Sequence, residues 1–246
     1  MMTGVILPSV ADAAALLAFC GVIGEERNQI LDLCHPRPDA GVLRLSDGAQ
    51  ADAYLYHASE AVRLIEYQPL VIPWLAQTEP YRKACWSSLD RQMWPGKLGH
   101  DGAAEVWTHK DWVELLVHEW ALRTLVGARA LWPEQLHGLL HLSTVMRVSV
   151  RVIPAHQVLP VTATSGFTLL EFARKRSLVY REDLTGGMFY DAAEQIETHR
   201  AIVAQLRGMA LNRHRSRELL EQIASEPAPP ARPVGSLGAD GSSYTQ

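Results

Sequence analysis

Residues 148–153 read Val148-Ser149-Val150-Arg151-Val152-Ile153, the clearest strand signal in the chain. Three β-branched valines fall on every second position, so in an extended backbone they share one face, with Ser149 and Arg151 on the other. Such a strand needs pairing partners and a covering layer. Weaker candidates supply the partners: 114–120, 166–172, 178–182 and, after a Gly186-Gly187 turn, 188–190. The covering layer comes from stretches with helical spacing. One covers 51–65, another 75–86, and a third 133–146 with Leu136, Leu139, Leu140 and Leu142 on its apolar side. A long one spans 191–209, with Ala192, Ile196, His199, Val203 and Leu206 as an inner stripe, and the last covers 216–224. The expected class is therefore α+β, a small mixed sheet flanked by helices.

Ahead of this unit lie two short helices. Ser9 is placed to cap the first, with Asp12 three residues on, and Gly21 ends it. The second starts near Glu25-Glu26, carries Ile30, Leu31 and Leu33, and stops before Pro36. The pair offers more apolar surface than it can cover alone, as if belonging to a domain whose front is elsewhere. Residues 36–50, with Pro, Asp and Gly, read as a linker. The division expected is 1–35, the linker 36–50, a main domain 51–225, and a disordered tail 226–246 rich in Pro, Ala, Gly and Ser. Tyr67–Trp74 carries two prolines, Pro69 and Pro73, which forbid a regular helix there. Residues 95–102 read as loop.

Composition narrows the function. With 48% hydrophobic and 20% charged residues the chain buries a real core. Net charge −4 and pI ≈ 6.2 argue against a free-standing nucleic-acid binder. Cys20, Cys34 and Cys85 lack metal-ligand spacing and read as reduced, buried thiols. No apolar run reaches the ~18 residues of a membrane span, the stretch 64–76 being broken by Glu66, Gln68, Pro69 and Pro73. There is also no basic start followed by a continuous apolar stretch, so a cytoplasmic location without membrane contact is expected.

Enzyme signatures mostly fail. There is no phosphate-cradling G-x-x-x-x-G-K-[ST] loop and no G-x-G-x-x-G, and Ser165 lacks a nucleophile elbow. His137 and His141 share a helix face, and with His118 and Glu119 they would suit a metal-assisted hydrolase. Without the glutamate of H-E-x-x-H, two ordinary polar-face histidines account for them as well. The seven tryptophans concentrate in the middle third; they suit either core packing or an aromatic-lined groove. Arg207, Arg213, Arg215 and Arg217, with His214, form a basic cluster that reads as a solvated helix end. Glu119, Arg123, Arg151 and Glu182 lie on or beside strands, where they pair across the sheet or point into a cavity.

The order of these elements resembles a known family. Residues 66–81, Glu66-Tyr67-Gln68-Pro69-Leu70-Val71-Ile72-Pro73-Trp74 through Tyr81, resemble the proline-containing signature of the DUF5753 domain. That domain occurs in actinobacterial, antitoxin-like helix-turn-helix regulators of the XRE type. Further similar stretches are Glu119–Arg123, 148–154, 166–172, 178–187 and 206–216, so the resemblance runs over 51–224. It implies transcription regulation, with an XRE-type DNA-binding domain in front. Residues 8–31 resemble the last helices of that domain, so the chain reads as an N-terminally shortened regulator. Contact with DNA is then expected only where the preceding helices are supplied. The resemblance further implies protein–protein interaction: a module that binds a small partner protein or small-molecule ligand, neither an enzyme nor dependent on a cofactor or metal, and able to form a homodimer. Around Asp90–Gly96 the chain departs from the family pattern. The groove expected from the proline segment and the tryptophans takes in Trp74, Gln77 and Tyr81, with Glu119, Arg151, Tyr180 and Glu182 on or beside the sheet.

Overall fold

The structure, a computed structural model, describes residues 9–34, 41–45, 49–85, 106–107, 110–183 and 186–230. Its centre is a mixed seven-stranded sheet in the order β1-β7-β6-β5-β2-β3-β4. The strands are β1 (Val42–Leu45), β2 (Arg63–Gln68), β3 (Trp112–His118), β4 (Val148–Ile153), β5 (Phe167–Glu171), β6 (Leu178–Asp183) and β7 (Gly186–Tyr190). β2, β3 and β4 run parallel, and β5, β6, β7 and β1 continue as antiparallel neighbours.

Eight helices accompany the sheet among the described residues: α1 (Val10–Phe19), α2 (Gly24–Leu33), α3 (Ala49–Glu60), α4 (Glu79–Cys85), α5 (Glu119–Arg123), α6 (Leu131–Thr144), α7 (Ala193–Met209) and α8 (Arg213–Ser225). Two cores result. On one face Leu64, Val113, Leu115, Val117, Val148, Val150 and Val152 pack with residues of α3, α6 and α8. On the other Ile65, Tyr67, Leu116, Phe167, Leu169 and Val179 pack against Ile196, Ile202, Val203 and Leu206 of α7. The α+β class holds, and β4 begins and ends where its alternation predicts. β3 alternates weakly because a parallel strand covered on both faces is apolar on both faces; all of Val113–His118 is buried.

Several boundaries differ from expectation. The segment read as a linker contains β1, which pairs antiparallel with β7 through Val42↔Tyr190 to Leu45↔Gly187. Four residues at a sheet edge carry too little pattern to stand out from a Pro- and Gly-bearing stretch. The helix expected over 51–65 ends at Glu60, and Leu64 and Ile65 belong to β2. A buried lysine marks that break: Lys110 Nζ donates to Ser59 O at 2.9 Å and Ala61 O at 2.6 Å, satisfying carbonyls at the end of α3. The helix expected over 75–86 is split into a 3-10 turn, Trp74–Ala76, and α4. Gly186 and Gly187 lie in β7 rather than in a turn. Tyr180 lies so close to Gly187 that a Cβ there would come within 2.6 Å of its ring.

The tail does not begin at Glu226. Arg123 Nη1 donates to Glu226 Oε2 at 2.7 Å, and Arg129 donates to Ala228 O at 2.7 Å, so this stretch is fastened beside α5. The remainder of the expected tail, the loop at 95–102 and Asp90–Gly96 lie outside the described residues. Cys20 is exposed and Cys34 and Cys85 are half-buried, so burial of all three thiols does not hold. Among the described residues no helix is long and apolar enough to cross a membrane.

α1 starts at the expected cap: Ser9 Oγ accepts from Asp12 N–H at 3.1 Å. The main contacts of α1 and α2 are with each other. Leu16, Phe19 and Ile23 remain 49%, 90% and 79% exposed, so the apolar excess read in the sequence is uncovered among the described residues.

Candidate functional site

Glu66 is the fourth residue of β2, between Ile65 and Tyr67, and it faces α3. It is 1% exposed. One carboxylate oxygen accepts the backbone N–H of Trp74, and the other that of Leu75 at 3.3 Å. The acid therefore holds the amino end of the 3-10 turn that the two prolines shape. The far side of the turn is clamped by α6: Gln135 donates to Ala76 O at 2.7 Å and accepts from Thr78 N–H at 2.7 Å. Trp74 is thereby fixed over the sheet.

Around Glu66 gather aromatic rings. Tyr54 of α3 meets Trp74 edge to face at 5.4 Å and Tyr180 at 4.7 Å, and Tyr180 meets Phe189 at 4.8 Å. The Tyr54 hydroxyl faces that of Thr168, but no donor and acceptor around it meet with hydrogen-bond geometry. Trp74 Nε1 is buried without a partner as well. Buried donors are nearly always satisfied, so two orphans in one cluster are unusual. Burial pushes the Glu66 carboxyl up to about 7, against the two backbone N–H groups and Gln68, which favour its ionised form; Glu182 adds to the upward push. Burial, then the Glu66 charge, raises the Tyr54 phenol well above its ordinary value. Burial, then Glu182, raises that of Tyr180. Glu182 is exposed and Trp74 half-buried, so the cluster reaches the surface.

The seven residues expected to line a groove divide. Trp74, Tyr180 and Glu182 come together around Tyr54 and Glu66. Gln77 and Tyr81 shape the same loop from within: Gln77 Nε2 donates to Ile72 O at 2.7 Å, and the Tyr81 hydroxyl accepts from Ile72 N–H at 3.3 Å. Arg151 is on the opposite face of the sheet. Its guanidinium donates to Arg207 O, Ala210 O and Leu211 O at 2.7–2.9 Å, closing the carboxyl end of α7, so it does not line the cluster. Glu119 follows β3, where Arg123 donates to it at 2.7 Å and Ala155 N–H at 2.9 Å.

The four residues considered for a hydrolase are not assembled. His118 is buried, and its Nδ1 accepts from Trp120 N–H at 3.2 Å as the cap of α5. His137 and His141 are exposed on α6. Among the described residues no three His, Cys, Asp or Glu groups converge as a metal site. The basic cluster is not simply solvated either: Arg207 turns inward and donates from two nitrogens to the buried Glu114. Sequence reasoning missed Tyr54, Phe189 and the role of Glu66. For Glu66 a signal existed, a lone acid in a strand-length run otherwise apolar between Leu64 and Tyr67.

The fold and this site define an α+β domain with a mixed sheet, bearing a buried acid ringed by aromatics under a proline-shaped loop. Residues 52–222 match the family described as "Domain of unknown function (DUF5753)", and the chain belongs to that family. No curated protein matches the chain. Among solved structures, an archaeal chromatin protein, TrmBL2, described as showing a novel mode of DNA binding, is similar at 7% identity with a TM-score of 0.37. The match covers 82% of this chain and 65% of that one, so the present chain spans less than two thirds of that protein's length.

Proposed function

We propose that the chain is a transcriptional-regulator or antitoxin-like protein whose DUF5753 domain binds a small ligand or partner protein, and that it works by binding rather than by making bonds. One observation carries the binding half of this reading: Tyr54 Oη and Trp74 Nε1 are buried without hydrogen-bond partners in a single acid–aromatic cluster that reaches the surface at Glu182. A bound molecule supplies the missing partners. Trp74 rides on a turn held by Glu66 and Gln135, so occupation of the cluster is felt by β2 and α6 together. Such a two-sided element is what a ligand-biased equilibrium requires.

The regulator half rests on the resemblance of α1 and α2 to the last helices of an XRE-type domain, and on their exposed Leu16, Phe19 and Ile23. In this reading those side chains pack against the DNA-reading helices, and the chain acts in the cytoplasm. The test is selection of DNA fragments by the 246-residue chain and by a version extended with the residues encoded in frame ahead of Met1. The extended version is expected to enrich a discrete operator and the shorter chain none. Enrichment by neither overturns the regulator reading; enrichment by the shorter chain alone overturns the placing of the base contacts.

A further inference from the structure

The carboxyl ends of the three parallel strands carry a surface that neither the acid–aromatic cluster nor the regulator reading uses. Gln68↔Val117 and His118↔Ile153 are the last parallel pairs, so Leu70 and Trp120 each emerge two residues beyond the paired end of adjacent strands. From β4 the chain returns to β5 through residues 154–166. Phe167 stands opposite Tyr67, and the Tyr67 hydroxyl donates to Ala163 O at 2.8 Å, so this loop crosses the ends of β3 and β2. At this end Leu70 and Trp120 are more than half exposed, and Val158 and Val161 almost wholly so. Single exposed hydrophobics are ordinary; four at one end of a sheet, one of them a tryptophan, mark an interaction surface. Trp120 is also held in place. Its N–H donates to His118 Nδ1 at 3.2 Å, its carbonyl accepts from Thr124 Oγ1 at 2.7 Å, and its ring packs on the buried imidazole at 4.7 Å. An aromatic ring already fixed loses little freedom when it is covered, which suits it to anchor an interface.

The surface also lacks charge. Residues 67–78 and 154–166 contain no Asp, Glu, Lys or Arg, in a chain of which 20% is charged. Among the described residues, the charged groups at its rim are engaged within the chain: Glu119 accepts from Arg123 and from Ala155 N–H, Arg123 also reaches Glu226, and Arg181 donates to Ser165 Oγ. Across a two-fold axis a patch meets its own image, so an unpaired carboxylate or guanidinium there would face like charge. A charge-free apolar centre with an aromatic anchor is self-complementary instead. The four side chains expose on the order of 500 Å², more than half of the about 800 Å² that each partner contributes to a standard interface. We propose that two copies of this chain pair through the carboxyl ends of β2, β3 and β4, with Trp120 of each copy packed against Leu70, Val158 and Val161 of the other. The proposal depends on neither the ligand reading nor the regulator reading.

The test is sedimentation equilibrium of the full chain at pH 8, from low to high micromolar concentration. The chain is expected to form a dimer with a dissociation constant in the micromolar range. Trp120→Ala is expected to weaken it at least tenfold. Val158→Asp, at a position 88% exposed, leaves folding intact and is expected to abolish the dimer by setting a carboxylate against the apolar centre. Phe19→Asp, on the exposed apolar face of α1, is expected to leave the association unchanged. In the chain with 15N-labelled tryptophan, the indole signal of Trp120, assigned with Trp120→Phe, is expected to shift as concentration rises and to stand still in Val158→Asp. A chain that stays monomeric throughout leaves this surface to a different protein and overturns the proposal. A dimer that survives Val158→Asp, or that Phe19→Asp abolishes, places the interface elsewhere and overturns it as well.

Discussion

Glu66 and Glu114 sit on adjacent parallel strands, one register step apart, with Glu66 opposite Leu115 and Glu114 opposite Ile65. Both are buried, yet they face opposite sides of the sheet and are treated in opposite ways. Glu114 meets two guanidinium groups, Arg207 from α7 and Arg151 at 3.7 Å from β4. Glu66 meets backbone N–H groups, phenols and a second acid. A buried charge that is fully paired is a structural tie. One held by backbone N–H groups beside orphan donors is a candidate for a ligand. The same residue type one register step away on the neighbouring strand thus marks a fastening on one face and a candidate site on the other.

That contrast can be broken most forcefully at the fastening. Glu114→Ala strips Arg207 and Arg151 of their shared acid and is expected to cost about 3–5 kcal/mol in urea denaturation. A loss below about 1 kcal/mol would show that Glu114 is no tie. The next largest effect belongs to Glu66 and depends on pH. Its carboxyl titrates at about 7 when folded, against 4.5 as the ordinary value. Between these values the folded chain holds a proton that the unfolded chain has released, so stability is highest below pH 4.5 and declines as pH rises through 7. The decline amounts to about 3 kcal/mol. Glu66→Gln is expected to flatten this slope in denaturation curves taken from pH 4.5 to 8, and an unchanged slope would assign it to another group.

Smaller effects sharpen the difference between satisfied and orphaned hydroxyls. Ser216 is buried and its Oγ accepts Val152 N–H at 3.0 Å, so Ser216→Ala is expected to cost about 1–2 kcal/mol. Tyr54→Phe removes a buried hydroxyl without a partner and is expected to stabilise the free protein by about 1 kcal/mol. If instead it destabilises by a similar amount, the hydroxyl has a partner and the cluster is closed. Arg217→Ala, which breaks an exposed pair with Glu221 at 2.9 Å, sets the lower end, with a change in melting free energy under about 0.5 kcal/mol.

What could be read beforehand varied with how local the cause was. Val148–Ile153 was legible because alternation over six residues is a property of the strand itself. The cap at Ser9 and the stops after α1 and α2 were legible for the same reason. β1 was not, because its existence depends on β7 being there to pair with. The end of α3 was misread by five residues, since Leu64 and Ile65 fit a helical stripe as well as a strand; Lys110, fifty residues on, closes the helix. At the site, Trp74, Tyr180 and Glu182 were singled out and fall in one cluster. Arg151, equally prominent in the sequence, points the other way, because alternation says that two residues differ in face without saying what covers each face.

The sequence by itself determined the element types, the α+β class and the run of motifs shared with the DUF5753 family, all set by spacing and side-chain chemistry within short windows. Only the tertiary structure decided which buried acid is neutralised and which is not. Burial and pairing depend on what α3, α6 and α7 bring from dozens of residues away, and a carboxylate's free energy is fixed by those neighbours rather than by its own place in the chain.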